Sequence, residues 1–146
     1  MEKIKLGIIG MGRMGITHYS IINSHPDVKI EAIADPSTVV MSILNKYLPV
    51  STFRDYESLF KAKSLDAILV CTPPHLNYNI IQEAAELGIH VFVEKPFTTK
   101  YHEAKTLTHL YAGSGLVNQV GYVNRFNDVF RKLKYFLDSG LIGDVI

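Results

Sequence analysis

The 146-residue sequence has one cysteine, Cys71, so no disulfide can close within the chain and a reducing compartment suits it. It has little charge of one sign: 15 Lys and Arg against 14 Asp and Glu leave a net charge of +1. The basic residues are scattered, which removes the usual electrostatic case for nucleic acid or an anionic membrane surface. No apolar run approaches the ~18 residues that a membrane span requires. Met1-Glu2-Lys3-Ile4 leads directly into a strand pattern, without the apolar core and cleavage site of a secretory signal. Repeats, low-complexity tracts and charge runs are also missing. His18, His90, His102 and His109 do not stand at metal-ligand spacing from Cys or carboxylates, so no metal is expected and these histidines are read as structural. Cys71 is read as a small core residue rather than a nucleophile. These absences lead to the expectation of a soluble, cytoplasmic protein with neither a membrane nor a nucleic-acid partner.

What is present is a regular alternation of apolar strands and helices. Hydrophobic residues make up 47% of the chain and charged residues 20%, enough for a real core in one domain. Strands are expected at Ile4–Ile9, Val28–Ala34, Thr52–Phe53, Ala67–Val70, His90–Val93 and Leu116–Val120. Helical spacing covers Met14–Asn23, Thr38–Tyr47, Tyr56–Ala62, Leu76–Leu87, Lys100–Tyr111 and Asn127–Leu137. Nearly continuous apolar strands alternating with helices imply a parallel sheet covered on both faces, the doubly wound α/β class. At Gly143-Asp144-Val145-Ile146 a further strand is expected to begin, as if a longer protein continued from there.

Gly10-Met11-Gly12-Arg13-Met14-Gly15 matches G-x-G-x-x-G between the first strand and the first helix, the context in which this pattern has meaning. Gly10 permits a tight turn, Gly12 lets backbone approach a pyrophosphate, and Gly15 lets helix and strand pack closely. The helix start then offers free N–H groups and partial positive charge to phosphates. Arg13 either reaches those phosphates or lies in solvent. Asp35 ends the second strand about 20 residues after the fingerprint, where a carboxylate accepts the ribose hydroxyls of an adenosine. A carboxylate there repels a 2′-phosphate, and no Arg follows in Pro36-Ser37-Thr38, so NAD is expected in preference to NADP.

Ligands of such folds lie beyond the carboxyl ends of the strands, where three more segments fall. Cys71-Thr72-Pro73-Pro74-His75 follows the fourth strand, and its two prolines make either a stiff wall beside the cofactor or an ordinary turn. Glu94-Lys95-Pro96 follows the fifth. Lys95 either hydrogen-bonds a substrate oxygen or belongs to a solvated turn, and Pro96 is a candidate for a cis bond. Gly121 to Phe126 follows the sixth, and Arg125 there either faces the site or caps the next helix.

Taken together, these residues resemble the Gfo/Idh/MocA family of oxidoreductases. The resemblance is carried by Gly10–Gly15, by Thr72-Pro73-Pro74-His75, by Ala85 through Pro96, and by Gly121–Phe126 with Lys134 and Gly140–Gly143. It implies a Rossmann doubly wound domain over residues 1–121. Residues 122–146 are then a connecting helix and the start of a C-terminal α/β substrate domain. It implies hydride transfer between a nicotinamide and a hydroxyl carbon of a sugar or cyclitol. The cofactor would be held by residues 10–15, Asp35, Thr72–His75, Glu94 and Lys95. Lys95 would also be catalytic and, with Arg125, would face the substrate. The Asp and His usually supplied by the C-terminal domain lie outside this chain, so the chain alone should bind cofactor and turn over poorly; the complete protein should be a homo-oligomer. Asn77 stands where many members have a His, and Asp128 where many have a Pro. A non-catalytic NAD(P)-binding regulator on the same fold is the alternative, since fold does not fix function.

Overall fold

The computed structural model describes residues 2–144. Six strands, β1 (Ile4–Ile9), β2 (Val28–Ala34), β3 (Ser51–Phe53), β4 (Ala67–Val70), β5 (His90–Val93) and β6 (Asn118–Val120), form one sheet. Every pairing is parallel and the spatial order is β3-β2-β1-β4-β5-β6. The chain therefore runs outward from β1 in one direction, returns, and runs outward in the other. Right-handed crossovers in opposite directions place their helices on opposite faces. The expected doubly wound α/β architecture is thus the observed one.

The strands alternate their side chains between two cores. Ile9, Ala32, Ala34, Ile68, Val70, Val91 and Val93 face a core closed by α3 (Tyr56–Ala62), α4 (Pro74–Glu86) and α5 (Tyr101–Tyr111). Leu6, Ile8, Ile33, Leu69 and Phe92 face the other core, under α1 (Arg13–Ile22) and α2 (Thr38–Tyr47). This period of two explains why the strands read as continuous apolar runs: both faces are dry. Helix termini follow local chemistry. Ser37 caps α2 by accepting from the Val40 N–H, and Asp55 caps α3 by accepting from the Ser58 N–H.

Two element starts differ from the sequence expectation by two residues, and other boundaries by one at most. Helix α4 begins at Pro74 rather than Leu76, because a proline at the first helical position forfeits only an N–H that has no helical partner. Strand β6 begins at Asn118 rather than Leu116. The Leu116 N–H donates to Ser114 Oγ and the Val117 N–H to His90 Nδ1, so both turn away from a regular ladder.

After β6 the chain makes a 3₁₀ turn, Val123–Phe126, and then α6 (Asp128–Asp138), capped by Asn127. The turn was not foreseen from periodicity. No residue of α6 is buried, and Val129, Phe130 and Leu133 are all exposed. Gly143 and Asp144 carry no regular structure, and Val145 and Ile146, where a further strand was expected, lie outside the described residues.

Candidate cofactor-binding edge

The carboxyl ends of β1, β2, β4 and β5 meet along one edge of the sheet, and the fingerprint glycines occupy its centre. Gly10 has φ +91°, a conformation that side chains resist, and a Cβ there would lie 2.7 Å from the Cys71 carbonyl oxygen. A Cβ on Gly15 would lie 2.0 Å from the Gly10 carbonyl oxygen, so α1 can sit this close to β1 only without one. Gly12 differs from both. A Cβ there meets nothing within 4 Å, so the missing side chain relieves no contact inside the protein and instead leaves open space above the turn. No side chain caps α1 and its first turn has no acidic residue, so its leading N–H groups and positive dipole end remain available. Those features fit a pyrophosphate: an open cradle over Gly12 and unused donors behind it. Met11 is buried beneath the turn, whereas Arg13 and Met14 are exposed.

Asp35 is 9% exposed and braces this turn. Its Oδ2 accepts from the Met11 N–H at 2.7 Å and its Oδ1 from the Ser37 N–H at 2.8 Å. The carboxylate thus ties the glycine turn to the β2–α2 connection. Each oxygen keeps acceptor capacity beyond these bonds.

The loops after β4 and β5 are joined to each other. Asn77, in the first turn of α4, is 1% exposed. Its Oδ1 accepts from the Thr72 hydroxyl at 2.7 Å, and its Nδ2 donates to the carbonyls of Pro96, at 3.4 Å, and Phe97, at 3.1 Å. Pro73, at the cap of α4, and His75 are exposed, and Pro74 is half-buried. Glu94 leaves β5 on the α1 side of the sheet. There His18 Nε2 donates to its Oε1 at 2.7 Å, and the other carboxylate oxygen accepts from the Lys95 N–H at 3.2 Å. The Lys95–Pro96 bond is cis. The Lys95 side chain is exposed and, among the described residues, its ammonium makes no hydrogen bond or ion pair. Burial, with the Glu94 charge adding to it, pushes the Cys71 thiol up to about 12, which suits a core residue.

The structure therefore brings together residues 10–15, Asp35, Thr72–His75, Glu94 and Lys95 along one edge. Arg125 is exposed in the 3₁₀ turn, and no polar partner for its side chain is found among the described residues. Two residues that shape this edge were not placed at it from sequence: His18 was read as structural, and Asn77 was noted only as a departure from the family pattern. Both had a detectable signal. His18 lies one turn beyond buried Gly15, on the sheet-facing side of α1. Asn77 opens the stripe Asn77, Ile80, Ile81, Ala84 that faces the core. A polar residue on an apolar stripe requires a partner.

The parallel order, the glycine turn and the braced carboxylate define a dinucleotide-binding domain of the Rossmann class. Residues 4–122 match the Gfo/Idh/MocA oxidoreductase family, NAD-binding Rossmann fold, and the chain belongs to that family. It is 34% identical over 143 residues to the uncharacterized oxidoreductase YrbE of Bacillus subtilis, covering 97% of this chain and 42% of that protein. It is 29% identical to the scyllo-inositol 2-dehydrogenase (NAD(+)) of the same organism, covering 99% of this chain and 43% of the relative. The crystal structure of scyllo-inositol dehydrogenase from Lactobacillus casei with bound cofactor NAD(H) and scyllo-inositol superposes with a TM-score of 0.88 at 29% identity. That match covers 98% of this chain and 43% of that one. The chain thus spans less than half the length of the relatives it matches. No described helix is long and apolar enough to cross a membrane.

Proposed function

We propose that this chain is the cofactor-binding part of an NAD-dependent dehydrogenase acting on a hydroxyl carbon of a sugar- or cyclitol-like molecule. The observation that carries the proposal is one sheet edge on which an open glycine cradle after β1 and, two strands away after β5, a lysine without a polar partner among the described residues face the same side. The inositol dehydrogenases among its relatives support the substrate class. Residues 1–121 form the cofactor domain in this reading, and residues 122–146 lead into a substrate domain that also makes the complete protein a homo-oligomer.

Residues Gly10–Gly15 hold the pyrophosphate through backbone N–H groups, with Arg13 and Met14 beside it. The remaining lone pairs of Asp35 accept from the adenosine ribose. Because that carboxylate is nearly buried, a 2′-phosphate beside it would meet a poorly screened like charge, which favours NAD over NADP. Thr72, Pro73, Pro74 and His75 form the wall along the nicotinamide half. The Thr72 hydroxyl is engaged by Asn77, so this wall acts by shape more than by donors. Glu94 supports the loop, Lys95 donates from its ammonium to a substrate oxygen, and Arg125 guards the substrate side. A bound nicotinamide supplies the acceptor or donor for hydride. Lys95 lowers the cost of charge developing on the substrate oxygen while an acid/base outside this chain moves the proton.

Two measurements test the reading. Calorimetric titration of this chain should give a lower Kd for NADH than for NADPH; equal affinity or the reverse order sinks the NAD assignment. In the whole subunit, Lys95→Ala should cut kcat by about 10²–10⁴, the usual range for such assistance, while NADH affinity changes little. Near-normal turnover in that variant would reduce Lys95 to a turn residue.

A further inference from the structure

Lys95 is exposed, in a segment whose neighbours are held on both sides. Alternation along β5 sends Glu94 to the same face as Phe92, towards α1. There His18 donates to the Glu94 carboxylate and lies edge-on to Phe92, with ring centroids 5.3 Å apart. The His18 and Glu94 side chains are only 20% and 14% exposed. A Cβ on Gly121, at the end of β6, would lie 3.2 Å from Glu94 Oε1, so Glu94 is enclosed from that side as well. On the opposite face, α4 presents Asn77, whose amide donates to the carbonyls of Pro96 and Phe97. The two helices thus grip residue 94 from one side of the sheet and residues 96 and 97 from the other. Between them, the Lys95 ammonium has no polar partner among the described residues.

We propose that His18 and Asn77 are positioning residues for Lys95: His18 through Glu94, and Asn77 through the Pro96 and Phe97 carbonyls, fix the backbone that aims its ammonium. This rests on the reading of Lys95 as the group that meets the substrate. A lysine stem is long and flexible, so an ammonium at its end is useful only if the backbone that carries it is fixed. A misplacement of about 1 Å can cost on the order of 10²-fold in rate. The two grips also connect Lys95 to the helices that start at the glycine turn and at the Thr72 loop, so the whole edge shares one frame.

The test compares variants that remove a grip with one that restores it. His18→Leu removes the donor to Glu94, and His18→Gln keeps an N–H at similar reach. Asn77→Asp keeps the shape and the acceptor for Thr72 but cannot donate to the two carbonyls. In this chain, His18→Leu and Asn77→Asp should speed exchange of the Lys95 amide, which donates to the Glu94 carboxylate, by about 10-fold or more. Exchange in β1 and β2 should be unchanged, and NADH Kd should stay within about threefold. In the whole subunit, assayed with NAD and scyllo-inositol, both should lower kcat by about 10–100-fold with little change in the KM for NAD. His18→Gln should return kcat to within about threefold of the parent. Combined with Lys95→Ala, neither change should lower kcat further, because they act through that lysine. Uniform loss of protection across the sheet, or a further loss of kcat beyond Lys95→Ala alone, would show general destabilisation and overturn the proposal. So would unchanged exchange at Lys95. The two readings fail separately: normal turnover in Lys95→Ala alone sinks the role of Lys95, whereas the exchange data sink the grips.

Discussion

The glycine turn and the Lys95 segment face the same edge but are built in opposite ways. The turn works by missing side chains. Gly10 and Gly15 clear backbone from backbone, and Gly12 leaves open space above the turn. The Lys95 segment works by added side chains, a His from α1 and an Asn from α4, each on an otherwise apolar stripe. A steric requirement is local and tolerates little variation. A hydrogen-bonded grip is assembled from distant residues and can be loosened in steps. Substitutions in the two regions should therefore fail differently.

Gly15→Ala should have the largest effect. The new methyl would lie 2.0 Å from the Gly10 carbonyl oxygen, a backbone atom that cannot swing aside as a side chain can. Helix α1 must shift off β1, at a cost at or above the usual ~3 kcal/mol upper range for overpacking. Urea unfolding checks this, and a midpoint near that of the parent would contradict the close approach. Gly12→Val is the complement: nothing lies within 4 Å of its Cβ, so stability should change by less than about 1 kcal/mol. NADH affinity should nevertheless fall at least about 100-fold, because the side chain fills the cradle. Normal binding would mean that the ligand does not cross this turn.

Asp35→Ala sits between the two modes, because here a side chain braces the glycine turn. It leaves the Met11 and Ser37 N–H groups without their acceptor, at a cost of about 1–3 kcal/mol. It should weaken NADH binding and narrow the gap to NADPH, both readable in one pair of titrations. An unchanged NADH-to-NADPH ratio would remove Asp35 from cofactor selection. Thr72→Val should have the smallest effect. It deletes one hydrogen bond to Asn77, about 1 kcal/mol, and should leave NADH affinity within about threefold. A large loss of affinity would mean that the hydroxyl leaves Asn77 to serve the ligand, and the wall along the nicotinamide half would then act by donors.

Much of this was legible in the order of residues, for reasons that differ by element. Strands buried on both faces are recognisable as short apolar runs, and four of them, β1, β2, β4 and β5, have the expected ends. The fingerprint was legible because its constraints act within one turn of chain. Asp35 was found by its distance from that turn, but its bonds to Met11 and Ser37 were not. The grips on Lys95 were not legible as pairs, although His18 and Asn77 each stand on a buried stripe. His18 and Glu94 are 76 residues apart, and Asn77 reaches carbonyls 19 and 20 residues away. Spacing rules do not extend across such separations.

Where strands and helices form, which three glycines could carry the turn, and that a carboxylate would end β2 are all readable from the order of residues. These follow from side-chain size, burial period and backbone freedom, which act between near neighbours. That α1 and α4 stand on opposite faces of β5 and hold the residues flanking Lys95 emerges only in the assembled sheet. That follows from crossover handedness and from sheet order, which set neighbours that no local pattern encodes. The same holds for α6, whose amphipathic pattern is evident in the chain while its exposure is not, because burial depends on what packs against a face rather than on the face alone.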